Sequence, residues 1–446
     1  MKRLLNLSEH LESLRQLGVW ILLAIPAGLL AGTASAFFLW ALERVTDLRF
    51  EHGWLLFLLP VGGLLVGLAY HYLGKEAEGG NNIILEQIHQ PGGGVPARMA
   101  PLVLIGTLAT HLFGGSAGRE GTAIQMGGSL AGLCGKILKL SPENLRMILM
   151  AGVAAGFGSV FGTPLAGAIF AMEVLVIGRI QYQALIPVLA AGLIGDATCS
   201  AWGIHHTSYH IAIATGEGDR AVLDFRLLGL TVAAGIIFGL VSQFFSEFMH
   251  FLQHGWKKVI AYAPLRPVVG GLIIIALTYL LGTRDYLGLG VHSPIPNAVT
   301  ILSAFNVGGA TAWSWWWKIL FTAITLSAGF KGGEVTPLFF IGATLGNTLA
   351  MLTGAPVDLF AGLGFIAVFA GASNTPLACT IMGIELFGSH YAVYFAVACF
   401  VAYYFSGHSS IYLSQRLAVS KRRHHGLNPE ISLKAAREWQ TKHPKK

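Results

Sequence analysis

Apolar residues fall in long blocks along this chain: Val19 to Leu39, Leu55 to Leu73, Met147 to Ile177, Ala184 to Trp202, Leu227 to Phe245, Val268 to Leu281, Ile319 to Leu352 and Tyr391 to Phe405. About 20 apolar residues in a helix cross the ~30 Å of hydrocarbon in a bilayer, so most of these blocks predict membrane-spanning helices. Several are too long or too short for one straight span. Many of the 57 glycines lie inside the blocks, where they permit close helix packing and helix breaks, so broken helices are expected. Ahead of the first block, Leu4, Leu7, Leu11 and Leu14 mark one face of a short amphipathic helix over residues 1–16.

Composition agrees: 54% of residues are hydrophobic and 11% charged, against roughly 25% charged in soluble domains. The predicted class is an all-α polytopic membrane protein. The net charge of +7 gathers in the tails, at Lys2, Arg3 and Arg15 and from Lys421-Arg422-Arg423 to Lys445-Lys446. Basic flanks next to membrane spans place both termini in the cytoplasm and need no nucleic acid to explain them. Residues 1–16 carry mixed charges and no small-residue cleavage site, unlike a signal peptide. Cys134, Cys199, Cys379 and Cys399 are isolated and read as packing residues. His205, His206 and His210 lie in a Thr- and Ser-containing loop between spans, a poor metal site. No cofactor is expected.

The chain repeats itself. Gly118-Arg119-Glu120-Gly121-Thr122 returns as Gly332-Gly333-Glu334-Val335-Thr336, and in each copy glycines follow the glutamate by eight and twelve residues, at Gly128 and Gly132 and at Gly342 and Gly346. Thr163-Pro164-Leu165-Ala166 leads to Glu173 as Thr375-Pro376-Leu377-Ala378 leads to Glu385. Glu334 follows Glu120 by 214 residues and Glu385 follows Glu173 by 212, so the spacing drifts by only two. The organisation predicted is an N-terminal helix (1–16), a first membrane repeat (17–215), a seam (216–225), a second repeat (226–417) and a basic cytoplasmic tail (418–446). Whether the repeats are parallel or inverted does not follow from these spacings.

Each glycine box sets a carboxylate where a helix breaks at membrane depth, beside backbone N–H groups without partners. A free helix N-terminus carries roughly half a positive charge and attracts a small anion. It also attracts a carboxylate, so Glu120 can take the anion's place when ionised and leave it when protonated, which links protons to anions. A capping carboxylate in a wet loop is the bland alternative; the arrangement occurring twice in apolar sequence weighs against it. Thr122 and Thr336 are either helix caps or ligand contacts. Glu173 and Glu385, at the far ends of apolar runs, read as interfacial or salt-bridged structural residues. Arg119 faces water or pairs with a glutamate elsewhere in the chain. Gly114-Gly115-Ser116-Ala117-Gly118 matches a hydrolase nucleophile elbow, but that motif needs a soluble strand–turn–helix context with Asp and His that is missing here, so no enzyme is predicted.

These boxes resemble those of the CLC family of chloride channels and proton-coupled anion transporters, over about Gly18 to Leu417. Gly118 to Gly121 is similar to the family's GREGP element and Gly332 to Pro337 to its GGxFxP element. The resemblance implies an inverted-repeat fold of many tilted and broken helices, a homodimer with one pore per subunit, Glu120 as gating glutamate, and Tyr412 as the pore tyrosine of an inner gate. Gly118, Gly121, Val335 and Thr336 then surround the anion. Where chloride transporters carry GSGIP, this chain has Gly80-Asn81-Asn82-Ile83-Ile84, with Asn81 in the serine's place. Thr122 replaces a proline, GGxFxP has become GGEVTP, and Val174 aligns with the inner proton-accepting glutamate.

Together the changes resemble the fluoride-exporting branch. Fluoride holds water tightly, so its site needs stronger donors than backbone dipoles, such as an Asn amide, a Thr hydroxyl and a protonated carboxyl. Glu334 is then a replacement inner proton acceptor, and the expected function is fluoride/proton antiport for fluoride resistance in a bacterial inner membrane. A chloride or nitrate exchanger, or an uncoupled channel, is the alternative within the family. An intramembrane hydrolase or a scaffold explains the boxes less well.

Overall fold

The computed structural model describes residues 7–212, 224–421 and 431–442. Leu4, and the Gly216 to Arg220 stretch at the centre of the expected seam, lie outside them. The first half runs α1 (Leu7–Glu51), α2 (Leu59–Leu73), α3 (Asn81–His89), α4 (Met99–Leu112), α5 (Glu120–Ile137), α6 (Pro142–Phe161), α7 (Pro164–Glu173), a two-residue strand β1 (Val176–Ile177) and α8 (Leu185–Ala201). The second half runs α9 (Phe225–Val259), α10 (Arg266–Leu281), α11 (Ser314–Ala328), α12 (Val335–Thr353), α13 (Val357–Ser373), α14 (Pro376–Phe387), α15 (Ala392–Phe405) and β2 (Arg416–Leu417). It is followed by β3 (Ile431–Ser432) and α16 (Leu433–Lys442). Among the described residues seven helices are long and apolar enough to cross a membrane.

The apolar blocks break where glycine and proline allow. Gly162, at φ +69°, closes α6, and Pro164 opens α7 inside the long Met147 to Ile177 block. Gly329, at φ +115°, ends α11 inside the Ile319 to Leu352 block. Three expectations change. No break separates residues 7–16 from the first span, because α1 is one 45-residue helix, roughly 68 Å long at ~1.5 Å per residue, and must tilt or project. α13 is mostly apolar and buried from Leu359 to Ser373, yet was absent from the expected spans. The basic tail is partly folded: β3 pairs antiparallel with β2, which pairs parallel with β1, and Arg437 of α16 reaches Glu247 at 2.6 Å.

The core lies where α5 and α6 in one half, and α12 and α13 in the other, are buried nearly all round. Glycine sets that closeness: a Cβ at Gly342 or Gly346 would strike the carbonyls of Gly364 and Phe360, and one at Gly127 that of Gly152. The glycines matched by spacing are not matched in space, because Gly128 faces Ile84 and Gly132 meets Val95 more closely than it meets Leu149 of α6. Between the halves runs an aromatic stack in which Phe339 and Phe365 lie 3.9 Å apart and Phe157 and Phe170 4.6 Å apart, ending at Tyr412.

Two reciprocal contacts join the halves. Gly118 and Gly333 form an antiparallel bridge, with N–H···O distances of 2.6 and 2.8 Å. Glu173, at the end of α7, accepts from the Leu377 and Ala378 amides at the start of α14, at 3.1 and 2.8 Å. Glu385, near the end of α14, returns the contact to the Leu165 and Ala166 amides of α7, at 2.9 and 2.8 Å. These glutamates are structural, but as exchanged N-terminal caps; neither forms an ion pair among the described residues.

Candidate functional site

The segment before α5 is held extended by buried polar contacts. The His111 ring meets the carbonyls of Thr107 and Ala117 at 2.8 and 3.1 Å. Ser116 shares a 2.9 Å hydrogen bond with Thr322, a packing contact and no nucleophile's surroundings. This presents Gly118 to Gly333. Gly332 has φ +152°, and a Cβ there would press to 2.5 Å from that of Ala117, so only glycine fits.

Glu120 opens α5 but turns its carboxylate across the bridge to the other half. One oxygen accepts from the Thr336 amide at 3.0 Å and the Arg119 amide at 3.2 Å; the other accepts from the Thr336 hydroxyl at 2.5 Å. The Arg119 Nε lies 3.6 Å away, so Arg119 pairs with its neighbour. Glu120 is fully buried, and its carboxylate lies at the N-terminus of α12, whose first residue Val335 is also buried. Space for it exists because Gly118 lacks a side chain: a Cβ there would sit 2.9 Å from the carboxylate oxygen. A Cβ on Gly121 would come within 3.0 Å of Gly333 and 3.3 Å of the Asn81 amide nitrogen, so three chain segments converge on this point.

Glu334 is the N-cap residue of α12, yet its side chain makes no capping bond and instead lines a cavity of about 740 Å³. The cavity opens where α9 ends and α10 begins, and Asn81 and Tyr412 line it too. The Asn81 carbonyl oxygen, at the start of α3, and the Tyr412 hydroxyl are both buried without hydrogen-bond partners. Unpaired buried polar atoms are rare, and these two lie on the same cavity. The Tyr412 loop is fixed by Gln415, whose amide donates to the Val174 and Ser373 carbonyls at 2.8 and 2.7 Å. Val174, which aligns with the inner glutamate of the resembled family, contributes a backbone carbonyl and an apolar side chain.

Lys75, Lys257, Arg266 and Lys331 line the same cavity against Glu78 and Glu334, an excess of positive charge that concentrates anions. The sequence reading missed Lys331, whose ammonium sits 3.9 Å over the Tyr70 ring; its position one residue before the second box was the signal. The two threonines part company: Thr336 holds Glu120, while Thr122 shares a 2.7 Å hydrogen bond with Thr107 of α4. His206 faces Asp196 at 3.8 Å, and among the described residues no three metal-binding side chains converge.

Residues 62–407 match the voltage gated chloride channel family. The chain belongs to the CLC family. It is a multi-pass membrane transport protein with the CLC inverted-repeat fold, and not an enzyme. It is 48% identical over 437 residues to the "Chloride/fluoride channel protein" of Pseudomonas syringae pv. tomato, covering 97% of this chain and 93% of that one. The crystal structure of a CLC-type fluoride/proton antiporter is similar at 34% identity with a TM-score of 0.84, over 90% of this chain and 98% of that one. A slow cyanobacterial Cl⁻/H⁺ antiporter shares the fold alone, at 21% identity and a TM-score of 0.71 over 87% of this chain and 94% of that one.

Proposed function

We propose that this CLC protein exports fluoride in exchange for protons and so confers fluoride resistance. The observation that carries the reading is the Glu120 carboxylate bound by the Thr336 amide and hydroxyl at the N-terminus of α12. Donors that grip an ionised carboxylate are of the kind that bind small anions, so anion and carboxylate compete for one place and protonation of Glu120 decides between them. The Thr336 hydroxyl and the Asn81 amide supply donors stronger than bare helix dipoles. Tyr412 gates the cavity side, and Gly118, Gly121 and Val335 bring backbone close to the ion. Glu334 repels fluoride when ionised and donates to it when protonated, which makes it the inner proton carrier. The names of the Pseudomonas relative and of the antiporter structure support fluoride as the ion.

The repeats, residues 17–215 and 226–417, act together within one pore, and two chains pair in a bacterial inner membrane with both termini and the cavity mouth facing the cytoplasm. HF enters a cell as a neutral acid and dissociates; an inward proton gradient then drives fluoride out. Chloride exchange or an uncoupled channel is the competing reading, favoured by the relative's name. Purified protein in fluoride- or chloride-loaded liposomes, followed with fluoride and pH electrodes, separates the two. Fast fluoride efflux with opposed proton uptake and little chloride flux is the expected result; chloride flux as fast as fluoride flux would return the chain to the chloride exchangers.

A further inference from the structure

On the face opposite the cavity mouth, at the far end of α10, two arginines stand together without acidic partners. Arg49, in the last turn of α1, is 8% exposed, and its Nε is buried without a hydrogen-bond partner. Neither it nor Arg284 forms an ion pair among the described residues, and the charge of Arg284 bears directly on Arg49. Behind them Lys318 is wholly buried and spends its ammonium on neutral carbonyls, those of Tyr286 and Gly288, at 3.2 and 2.8 Å. A guanidinium does not lose its proton in a protein, so burial cannot neutralise Arg49 as it could a lysine. A buried charge left unpaired is costly, and a second cation beside it compounds the cost.

Two adjoining hollows, of about 20 and 40 Å³, are both lined by Arg49, Phe50, Arg284, Asp285 and Ser293. A water needs roughly 10–15 Å³ on this measure, so the hollows take one small ion with a water or two and nothing larger. Asp285 carries the one carboxylate lining them, and it is engaged by the Val299 amide at 3.1 Å. It makes a divalent anion unwelcome while leaving the balance positive. Gly288, at φ +59°, lets the Arg49 guanidinium lie against the backbone, where a Cβ would sit 3.1 Å from its nitrogen. The same Gly288 donates to the Gly115 carbonyl at 3.1 Å, which ties this loop to the segment leading into Gly118 and Glu120.

We propose that the Arg49–Arg284 pocket is a second anion site, separate from the Glu120 locus, which holds one small monovalent halide and braces the segment carrying the first glycine box. It does not rest on fluoride being the transported ion.

The test uses full-length protein crystallised in bromide, read by anomalous diffraction, together with its melting temperature in chloride and in an equal concentration of gluconate, an anion too large for the hollows. Bromide is expected within hydrogen-bond distance of both guanidinium groups. Arg284→Gln, at an exposed position where the guanidinium lies against Gly53, should remove that peak, leave any bromide beside Asn81 and Tyr412, and cut the chloride-dependent rise in melting temperature by at least half. An empty pocket in bromide overturns the proposal. So does Arg284→Gln retaining both the peak and the full chloride-dependent rise. A peak lost in Arg284→Gln with no change in that rise marks an adventitious ion only, and likewise overturns it.

Discussion

Thr122 and Thr336 hold the same place in two copies of one box, yet Thr122 spends its hydroxyl on Thr107 while Thr336 spends amide and hydroxyl on Glu120. The glutamates diverge as well: Glu120 is sealed between the halves, and Glu334 lines an open cavity. Duplication placed two carboxylates at two helix starts, and the neighbours of each then separated their roles. On the proposed antiport reading that asymmetry is useful, because a carboxylate that competes with the anion and one that meets protons from the cavity need different environments.

The comparison can be broken most severely at Glu120. Glu120→Gln keeps size and hydrogen bonding but cannot cycle a charge, so proton movement coupled to fluoride should fall to background in liposomes; coupled exchange that survives would remove Glu120 from the mechanism. Next in size, Glu334→Gln should slow coupled exchange by about a hundredfold, ~2.7 kcal/mol of barrier, while leaving fluoride bound, as initial efflux rates and equilibrium titration would show. Thr336→Val keeps the amide and loses the hydroxyl. It should raise half-saturating fluoride by roughly tenfold, the low end for a hydrogen bond to a charged group at ~1.5 kcal/mol. The smallest effect belongs to Thr122→Val, which should lower stability by about 1 kcal/mol in a thermal melt and leave the exchange rate within about twofold. Equal effects at the two threonines would mean that the boxes had not diverged.

The boxes were legible in sequence because a carboxylate flanked by glycines is conspicuous in an apolar chain, and the helix break it marks is a local event. The division of labour was not, since Thr107 reaches Thr122 from another helix and Thr336 reaches Glu120 across 216 residues. Glu173 and Glu385 were read as structural, but their partners lie on each other's helices, beyond any local pattern. Basic composition hid α16, whose Leu433 is 2% exposed and docks beside the Tyr412 loop. Glycine spacing misled in the first half, where Gly127, one residue from the matched glycine, makes the close approach to α6.

The measurement that tests the account most directly gives vesicles equal fluoride inside and out, imposes only a proton gradient, and follows fluoride with an electrode. The account predicts that wild-type protein moves fluoride uphill, against the direction of proton flow, and that Glu120→Gln does not. Fluoride that stays at equilibrium in wild-type vesicles, while passing freely down its own gradient, would contradict coupling and make this protein a channel.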